Sequence, residues 1–279
     1  MKKFLQKFIT SAVLCGILSV NAQELIVERE KKENWGGKVE FAPQFDRGKG
    51  PCFVLYGKYP TALTYKKYIS VEPGKKYTYK VSLRTLDEKL PASGYIGFYL
   101  YDAKKRSMTF RNVAVLKNSS SEVVSAKKGD KFIIIKKIDN FERFKRFSVA
   151  FNTKADFSDI PNFDLAPSCS KIVDNGDGNL RIELKSALKK DYPAGTPMRL
   201  HSPYGAPLYN LASGWMPAGE GKECVAVLEG ILDTPGTSRG KFWKGTKYIR
   251  PFVWFGNWNR KPKQGAKLLV DGMSLTVAE

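Results

Sequence analysis

Aromatic rings and an arginine alternate along the segment YIRPFVWF, which runs from Tyr248 to Phe255. In an extended strand, successive side chains point to opposite faces. One face would carry Tyr248, Arg250, Phe252 and Trp254, and the other would carry Ile249, Pro251, Val253 and Phe255, which suit a core. Rings can stack on the apolar faces of sugars, and a guanidinium can bind hydroxyl or anionic groups. The segment therefore predicts a carbohydrate-binding strand.

A second segment of this character, GYIGFYLYDA, begins at Gly94. Three tyrosines and Gly97 would share one face of this strand. A glycine inside a strand can mark a place where a ligand approaches closely, although a β-bulge is the commoner cause. We expect this face and the face of the first segment to form one binding surface. The predicted ligand-binding residues are Arg84, Tyr95, Tyr99, Tyr101, Tyr248, Arg250 and Trp254, with Trp215, Trp243 and Trp258 as secondary candidates in loops.

The sequence offers few residues for catalysis. The only histidine, His201, lies in LHSPYG beside turn residues, where we expect a loop residue rather than a catalytic base. A Ser-His-Asp or Cys-His arrangement would depend on it entirely. Glycoside hydrolysis needs two carboxylates, and a pair such as Asp102 with Glu229 lies in no recognisable motif. Among enzyme classes, the sequence argues least against a lyase that acts on uronates through tyrosine and arginine.

Residues 1–22 have the layout of a secretory signal, with three lysines, an apolar stretch and a small-residue ending before Gln23. We therefore expect cleavage after Ala22 and a protein that is secreted, periplasmic or displayed on the cell surface. No second apolar run has the roughly 20 residues of a transmembrane segment. Removing three lysines lowers the formal charge from +20 to +17. This favours an anionic glycan or an acidic surface over nucleic acid as the partner.

Cys52, Cys169 and Cys224 follow the signal segment, and they lack the close pairs of a zinc site. The sequence allows either one disulfide with one free thiol, or three free thiols. The segment DNGDGN, from Asp174 to Asn179, gathers carboxylates and amides but lacks the full calcium ligand series. Because Asp-Gly between alternating strands is a strong hairpin signal, we predict a turn there.

Period-two alternation and turn residues dominate the chain, so we predict an all-β, antiparallel β-sandwich. Residues 23–111 and 213–279 would form the sandwich, and residues 112–212 an inserted β subdomain. Only KSALKKDY, from Lys185 to Tyr192, has a helical pattern. The predicted strands are Glu24–Glu30, Gly37–Phe41, Phe53–Tyr56, Leu63–Val71, Lys75–Thr85, Gly94–Ala103, Asp130–Ile138, Arg146–Phe151, Asn179–Leu184, Pro197–His201, Cys224–Leu232, Tyr248–Phe255 and Lys267–Val277.

Three stretches of the outer parts resemble the jelly-roll carbohydrate-binding modules of the galactose-binding-like superfamily. They are YISVEPGKKYTYKVSLRT (residues 68–85), GWMPAGEGKECVAVLEGI (residues 214–231), and FWKGTKYIRPFVWF followed by KLLVDGMSLTV (residues 242–255 and 267–277). The resemblance covers residues 24–111 and 213–279. It implies a ligand-face strand like GYIGFYLYD. It also implies a structural calcium near the closing strand, with Asp271 at the matching position and Gly272 where a second acidic residue is common. Asp271 can thus be a calcium ligand or a structural residue.

Together these features predict an exported, non-catalytic protein that binds a polysaccharide or other glycan, with an anionic one favoured by the charge. No cofactor is implied with certainty. One alternative is a structural or adhesive surface protein, whose insert contacts other envelope or secreted proteins and whose aromatic faces are buried between sheets. Another is a polysaccharide-degrading enzyme.

Overall fold

The computed structural model describes residues 23–26, 31–45, 48, 50–57, 61–210, 215–256 and 265–278, without the side chains of residues 209, 210 and 215. Nearly all of their regular secondary structure is antiparallel β-strand, which confirms the predicted fold class, an all-β sandwich. The predicted signal segment and Trp258 lie outside the described residues. None of the described helices is long and apolar enough to cross a membrane.

The secondary-structure elements fall into three consecutive groups. The first group is β1 (Gln23–Glu24), β2 (Trp35–Gly36), β3 (Glu40–Phe41), β4 (Phe53–Tyr56), β5 (Thr61–Tyr65), β6 (Ile69–Ser70), β7 (Lys76–Thr85), β8 (Ala92–Tyr101), β9 (Ser107–Met108) and the short helix α1 (Phe110–Val113). The second is β10 (Val115–Ser125), β11 (Phe132–Lys136), β12 (Ser148–Phe151), β13 (Cys169–Asp174), β14 (Asn179–Leu184) and β15 (Pro197–His201). The third is β16 (Leu208–Asn210), β17 (Trp215–Met216), β18 (Gly221–Glu229), β19 (Tyr248–Phe255) and β20 (Lys267–Ala278). Single 3₁₀ turns occupy Lys32–Asn34, Pro43–Phe45 and Phe141–Arg143.

Two sheets form the sandwich. The first sandwich sheet has the order β18-β7-β20-β4-β3, with β1 also paired to β20. The second sandwich sheet has the order β16-β8-β19-β5-β2, with β6, β9 and β17 as short additional pairings. The chain passes from the first sheet to the second between β7 and β8, and again between β18 and β19. Residues distant in sequence therefore become neighbours in the second sheet.

The inner faces of these sheets share one apolar core, because every second residue of each strand points inward. From the second sheet this core takes Ile96, Phe98 and Leu100 of β8, together with Ile249, Val253 and Phe255 of β19. All six are 0 % exposed. The core positions that the alternation predicts on these strands are therefore confirmed. The opposite face of these two strands, which includes Tyr99 and Arg250, points away from the other sandwich sheet.

The middle strands form a third sheet, in the order β12-β15-β10-β11-β14-β13. It has its own apolar cluster, which includes Val123, Ile133 and Leu200. The connection after β12 places Ile160 in the sandwich core instead. β16 falls inside the predicted insert by residue number, but it pairs with β8 of the sandwich. The sandwich therefore resumes before residue 213.

Several strands have the predicted bounds, namely Phe53–Tyr56, Asn179–Leu184, Pro197–His201 and Tyr248–Phe255. The predicted turn at DNGDGN is confirmed, because β13 and β14 pair directly across it and Gly176 and Gly178 have φ of +82° and +81°. The helical interpretation of Lys185–Tyr192 is wrong. That segment is irregular chain, and Tyr192 forms an isolated bridge with Ala126.

Candidate functional site

The outer face of the second sandwich sheet carries the predicted ring and arginine residues in facing pairs. β8 and β19 are antiparallel neighbours, so Tyr101 lies opposite Tyr248, Tyr99 opposite Arg250, Gly97 opposite Phe252 and Tyr95 opposite Trp254. Successive pairs are two residues apart, so the four span ~20 Å along the strands. We call these eight positions the aromatic face. They cover enough length for an oligosaccharide rather than a single sugar ring.

Arg250 is fixed in the middle of this face. Its Nε donates a hydrogen bond to the carbonyl oxygen of Tyr65 at 2.7 Å, and its Nη1 lies 3.5 Å from the hydroxyl of Tyr101. Its guanidinium also lies 5.6 Å from the ring centroid of Tyr68. Because these contacts hold the side chain, little rotational freedom is lost when it binds a ligand.

Tyr68 is a member of the site that the sequence did not predict. It is 39 % exposed, and its ring packs edge-on against Tyr101 at 4.8 Å and Tyr248 at 6.1 Å. Lys105 completes this end of the face, with its Nζ 4.9 Å from the Tyr68 ring centroid and 5.5 Å from that of Tyr248. We call these five residues the tyrosine cluster: Tyr68, Tyr101, Lys105, Tyr248 and Arg250.

An irregularity in the neighbouring chain places Tyr68 there. The sequence predicts one strand from Leu63 to Val71, but the structure has β5 and β6 with a break between them. Phe252 pairs with Thr64 and Ile249 with Ile69, so four residues of this chain stand beside only two of β19. One of those two is Pro251, which has no N–H to donate across the sheet. The two extra residues bulge out and bring Tyr68 onto the outer face.

A turn that follows β8 holds Lys105. The carboxylate of Asp102 accepts hydrogen bonds from the backbone N–H groups of Lys104 and Arg106 and from Arg106 Nε. Burial raises the pKa of Asp102, but these bonds and the charge of Arg106 outweigh it and leave the pKa below its usual value. Asp102 is thus an ionised turn residue, unsuited to act as a general acid. The conceivable partner Glu229 lies on β18, in the other sandwich sheet.

Gly97 does not leave an open gap for a ligand. A Cβ at this position would lie 2.4 Å from the carbonyl oxygen of Leu208 and 2.9 Å from the ring of Phe252. The ring of Phe252 fills the space, is 0 % exposed, and packs against Tyr99 with centroids 4.7 Å apart. The glycine therefore allows close packing within the face, and neither the bulge nor the ligand gap is found there.

Two tyrosine hydroxyls of this face, those of Tyr99 and Tyr101, have a raised pKa and stay protonated at neutral pH. Burial raises the pKa of Tyr99 above its ordinary value, with opposing contributions from a hydrogen bond to Thr64 and the charge of Arg250. Burial likewise raises the pKa of Tyr101, again opposed by Arg250. Both hydroxyls can therefore donate as well as accept hydrogen bonds, as a sugar hydroxyl requires.

Other candidates lie elsewhere. Arg84 is on β7, between β18 and β20 in the first sandwich sheet, so it does not join the aromatic face. Trp243 lies in a loop as predicted, but it is 0 % exposed and packs against Phe110 in the core, so it does not join the aromatic face. The backbone of Trp215 pairs with Ser93 of β8. Arg84 and Trp243 were misplaced because strand alternation does not reveal which sheet a strand joins or which loop folds inward.

None of the three described cysteines forms a disulfide bond. Cys52 and Cys224 are buried, and Cys169 is partly exposed. Asp271 is 6 % exposed, lies opposite Ser82 of β7, and precedes a register shift at which Gly272 has φ of +58°. Among the described residues, no three His, Cys, Asp or Glu side chains are grouped so as to hold a metal ion.

His201 is the last residue of β15 and is 0 % exposed, so the loop interpretation is wrong. Its Nδ1 lies 2.8 Å from the carbonyl oxygen of Arg111, and its Nε2 accepts a hydrogen bond from Arg199 Nε at 3.0 Å. Arg199 is itself 2 % exposed and forms an ion pair with Asp159. Burial lowers the pKa of His201 to about 4. The imidazole is therefore neutral and structural.

No protein-family model matches the chain, and no curated protein matches it. Solved structures do match. The carbohydrate recognition domain of Emp46p, in a metal-free form, is 12 % identical over 91 % of this chain and 92 % of that chain, with a TM-score of 0.26. The carbohydrate recognition domain of Emp47p is 9 % identical over 92 % of this chain and 94 % of that chain, with a TM-score of 0.27. Likenesses at this level assign neither a family nor a ligand.

Proposed function

We propose that this chain is a non-catalytic carbohydrate-binding protein, and that the aromatic face of the second sandwich sheet is its binding surface. The observation that carries the proposal is the facing of Tyr99 with Arg250 and of Tyr101 with Tyr248 on adjacent strands. Rings offer flat apolar surface to sugar C–H groups, while hydroxyls and a guanidinium bind sugar hydroxyls. Strands more than a hundred residues apart in sequence contribute to this single surface.

The tyrosine cluster favours an anionic glycan. Lys105 and Arg250 both lie beside the Tyr68 ring, so a sugar stacked there would have two cations within reach of a carboxylate or sulfate group. Among the described residues, the Nε and Nη1 atoms of Arg250 have acceptors, which leaves Nη2 for a ligand. The formal charge, +17 once the three lysines of the predicted signal segment are removed, would further raise the rate of encounter with a polyanion.

The finer assignments belong to the same proposal. We assign the sandwich to the galactose-binding-like modules on the sequence resemblance, with the middle sheet as an inserted subdomain that has a core of its own. Export follows from the signal-like first 22 residues. The alternative of an adhesive protein with its aromatic faces buried between sheets is less well supported, because Ile96, Phe98 and Leu100 occupy the inner face of β8.

A matched pair of variants tests the proposal. Tyr68 and Tyr56 are 39 % and 40 % exposed, and Tyr56 lies on β4 of the other sandwich sheet. After a glycan array has identified the oligosaccharide that wild type binds best, its affinity for Tyr68→Ala and Tyr56→Ala is measured by calorimetry. We expect Tyr68→Ala to weaken binding about five- to tenfold, which is the contribution of one stacked ring, and Tyr56→Ala to leave it unchanged.

Three results would count against the proposal. Equal affinities for both variants would place the ligand elsewhere, and an empty array with self-association in light scattering would favour the adhesive alternative. New ultraviolet absorbance from an unsaturated product, formed on a uronate polymer, would show a lyase.

A further inference from the structure

A cleft of about 390 Å³ opens beside the third sheet, where α1 and the ends of several of its strands come together. Its walls come from five separate pieces of chain: α1, the segment before β12, the start of β13, the residue after β14, and the loop after β15. Five of the lining residues carry charge or an exposed aromatic ring and define what we call the basic cleft: Arg111, Lys145, Arg146, Lys185 and Tyr204.

The charges of the basic cleft have one sign. Four of its lining residues are cationic and none is acidic. Two ion pairs lie close by: Lys190 is paired with Asp164 at 3.0 Å in the adjoining cleft of about 510 Å³, and Lys171, next to the lining residue Ser170, is paired with Glu183 at 3.5 Å. No ion pair within the described part of the chain involves Arg111, Lys145, Arg146 or Lys185. Neighbouring cations repel one another unless an anion lies between them.

The walls do not supply that anion. Cys169 lines the cleft, but burial raises the pKa of its thiol to about 12, so it is neutral at physiological pH. Ser148 and Ser170 donate their hydroxyls to the carbonyl oxygens of Ser202 and Glu183. Arg111 is held at the wall by a hydrogen bond from its Nη2 to the carbonyl oxygen of Ala166 at 3.3 Å, and its Nε has no acceptor in the described chain.

An aromatic ring stands beside these cations. Tyr204 is 49 % exposed, and the Arg146 guanidinium lies 5.8 Å from its ring centroid, with Nη1 3.4 Å from its hydroxyl. The backbone N–H of Arg111 donates to the carbonyl oxygen of Tyr204 at 3.1 Å, which ties this loop to α1. A sugar ring could stack on Tyr204 while an acidic substituent enters the cleft.

We propose that the basic cleft is a second carbohydrate subsite, selective for a sugar that carries a carboxylate or sulfate group. It lies on different strands from the aromatic face and does not depend on it. A protein with both subsites would hold an acidic polysaccharide at two points, which raises its overall affinity through effective concentration.

Charge reversal at exposed positions tests the subsite without removing buried groups. Lys145 and Lys185 are exposed, so Lys145→Glu/Lys185→Glu should fold. The matched control is Lys80→Glu/Lys222→Glu, which changes the net charge equally at exposed positions of the first sandwich sheet. The probes for calorimetry are a galacturonate tetramer, a sulfated galactan tetrasaccharide, neutral galactotetraose and sodium sulfate. Thermal unfolding checks that both variants are folded.

We expect the cleft variant to bind the two acidic oligosaccharides roughly tenfold more weakly than the control does, with no difference for the neutral one. Tyr204→Ala should also weaken them, and Tyr68→Ala should leave this difference between the charge variants intact. Equal losses in both charge variants would mean long-range attraction only and would overturn the proposal, as would the absence of acidic-oligosaccharide binding. Sodium sulfate bound as tightly as the sulfated tetrasaccharide, with no effect of Tyr204→Ala, would reduce the site to a free-anion site. Tighter binding of a single-stranded DNA oligomer would assign it to nucleic acid instead.

Discussion

Acidification should destabilise this protein through one identified group. His201 is the only histidine in the chain and is buried as a neutral ring between Arg199 and the Arg111 carbonyl. Burial, with the charge of Arg199 acting in the same direction, lowers its pKa from 6.5 to about 4, while Asp159 and the hydrogen bond to Arg111 oppose the shift only in part. The unfolded chain therefore takes up a proton between these two pH values and the folded chain does not, so stability is lost as the pH falls through this window.

The size of the effect follows from the same values. Each tenfold difference in proton affinity corresponds to about 1.4 kcal/mol, so lowering the pKa from 6.5 to about 4 corresponds to roughly 3 kcal/mol when the window has been crossed completely. Between about pH 7 and pH 5, the free energy of unfolding should fall by about 2 kcal/mol. The aspartates whose pKa is depressed, among them Asp159 and Asp164, lose their contribution only at lower pH.

Urea unfolding followed by tryptophan fluorescence at pH 7 and pH 5 measures this difference directly. His201→Gln serves as the comparison, because an amide keeps hydrogen-bonding capacity but does not titrate in this range. We expect the variant to be less stable at pH 7 but nearly independent of pH down to about pH 5. An equal pH dependence in wild type and variant would refute the assignment to His201.

Three further predictions concern packing and buried polar groups. Asp159→Asn leaves a buried guanidinium without its counter-charge and should lower the free energy of unfolding by about 3–5 kcal/mol in urea titrations, whereas a loss below ~1 kcal/mol would show the pair to be solvated. Gly97→Ala should lower the melting temperature strongly, because the new Cβ would lie 2.4 Å from the backbone oxygen of Leu208. Gly205→Ala is the control and should not lower it, because the space around Gly205 is open. Equal melting temperatures for the two variants would contradict the close packing at Gly97. Tyr79→Phe removes a buried hydroxyl without a partner and should leave the stability unchanged or raise it by up to ~1 kcal/mol. Tyr77→Phe loses a 2.8 Å hydrogen bond from the Glu72 N–H and should lower the stability by about 1 kcal/mol. A larger loss for Tyr79→Phe than for Tyr77→Phe in calorimetry would contradict this description of the core.

The strands of the aromatic face could be predicted from sequence because alternation has a fixed period. Tyr248–Phe255 has the predicted bounds, and the inward position of Ile249 and Val253 follows directly from the pattern. Tyr68 could not be predicted, since it reaches the face through two extra residues opposite Pro251, and register is a property of paired strands rather than of one segment.

The basic cleft and the buried histidine were also beyond reach of the sequence. The cleft draws Arg111, Lys145 and Lys185 from three distant pieces of chain, and only the pairing of the middle strands brings them together. His201 stands beside turn residues in sequence, but its burial depends on α1 packing across β15. Local pattern predicts which face of a strand is apolar, whereas the neighbours on the other face depend on topology.

A structure of the protein with its best array-identified oligosaccharide bound tests the central claim most directly. The account predicts a sugar ring within about 4 Å of the Tyr68 and Tyr248 rings, a van der Waals contact, with a hydroxyl or acidic group on Arg250. An oligosaccharide found only on the first sandwich sheet, with the tyrosine cluster unoccupied, would contradict it.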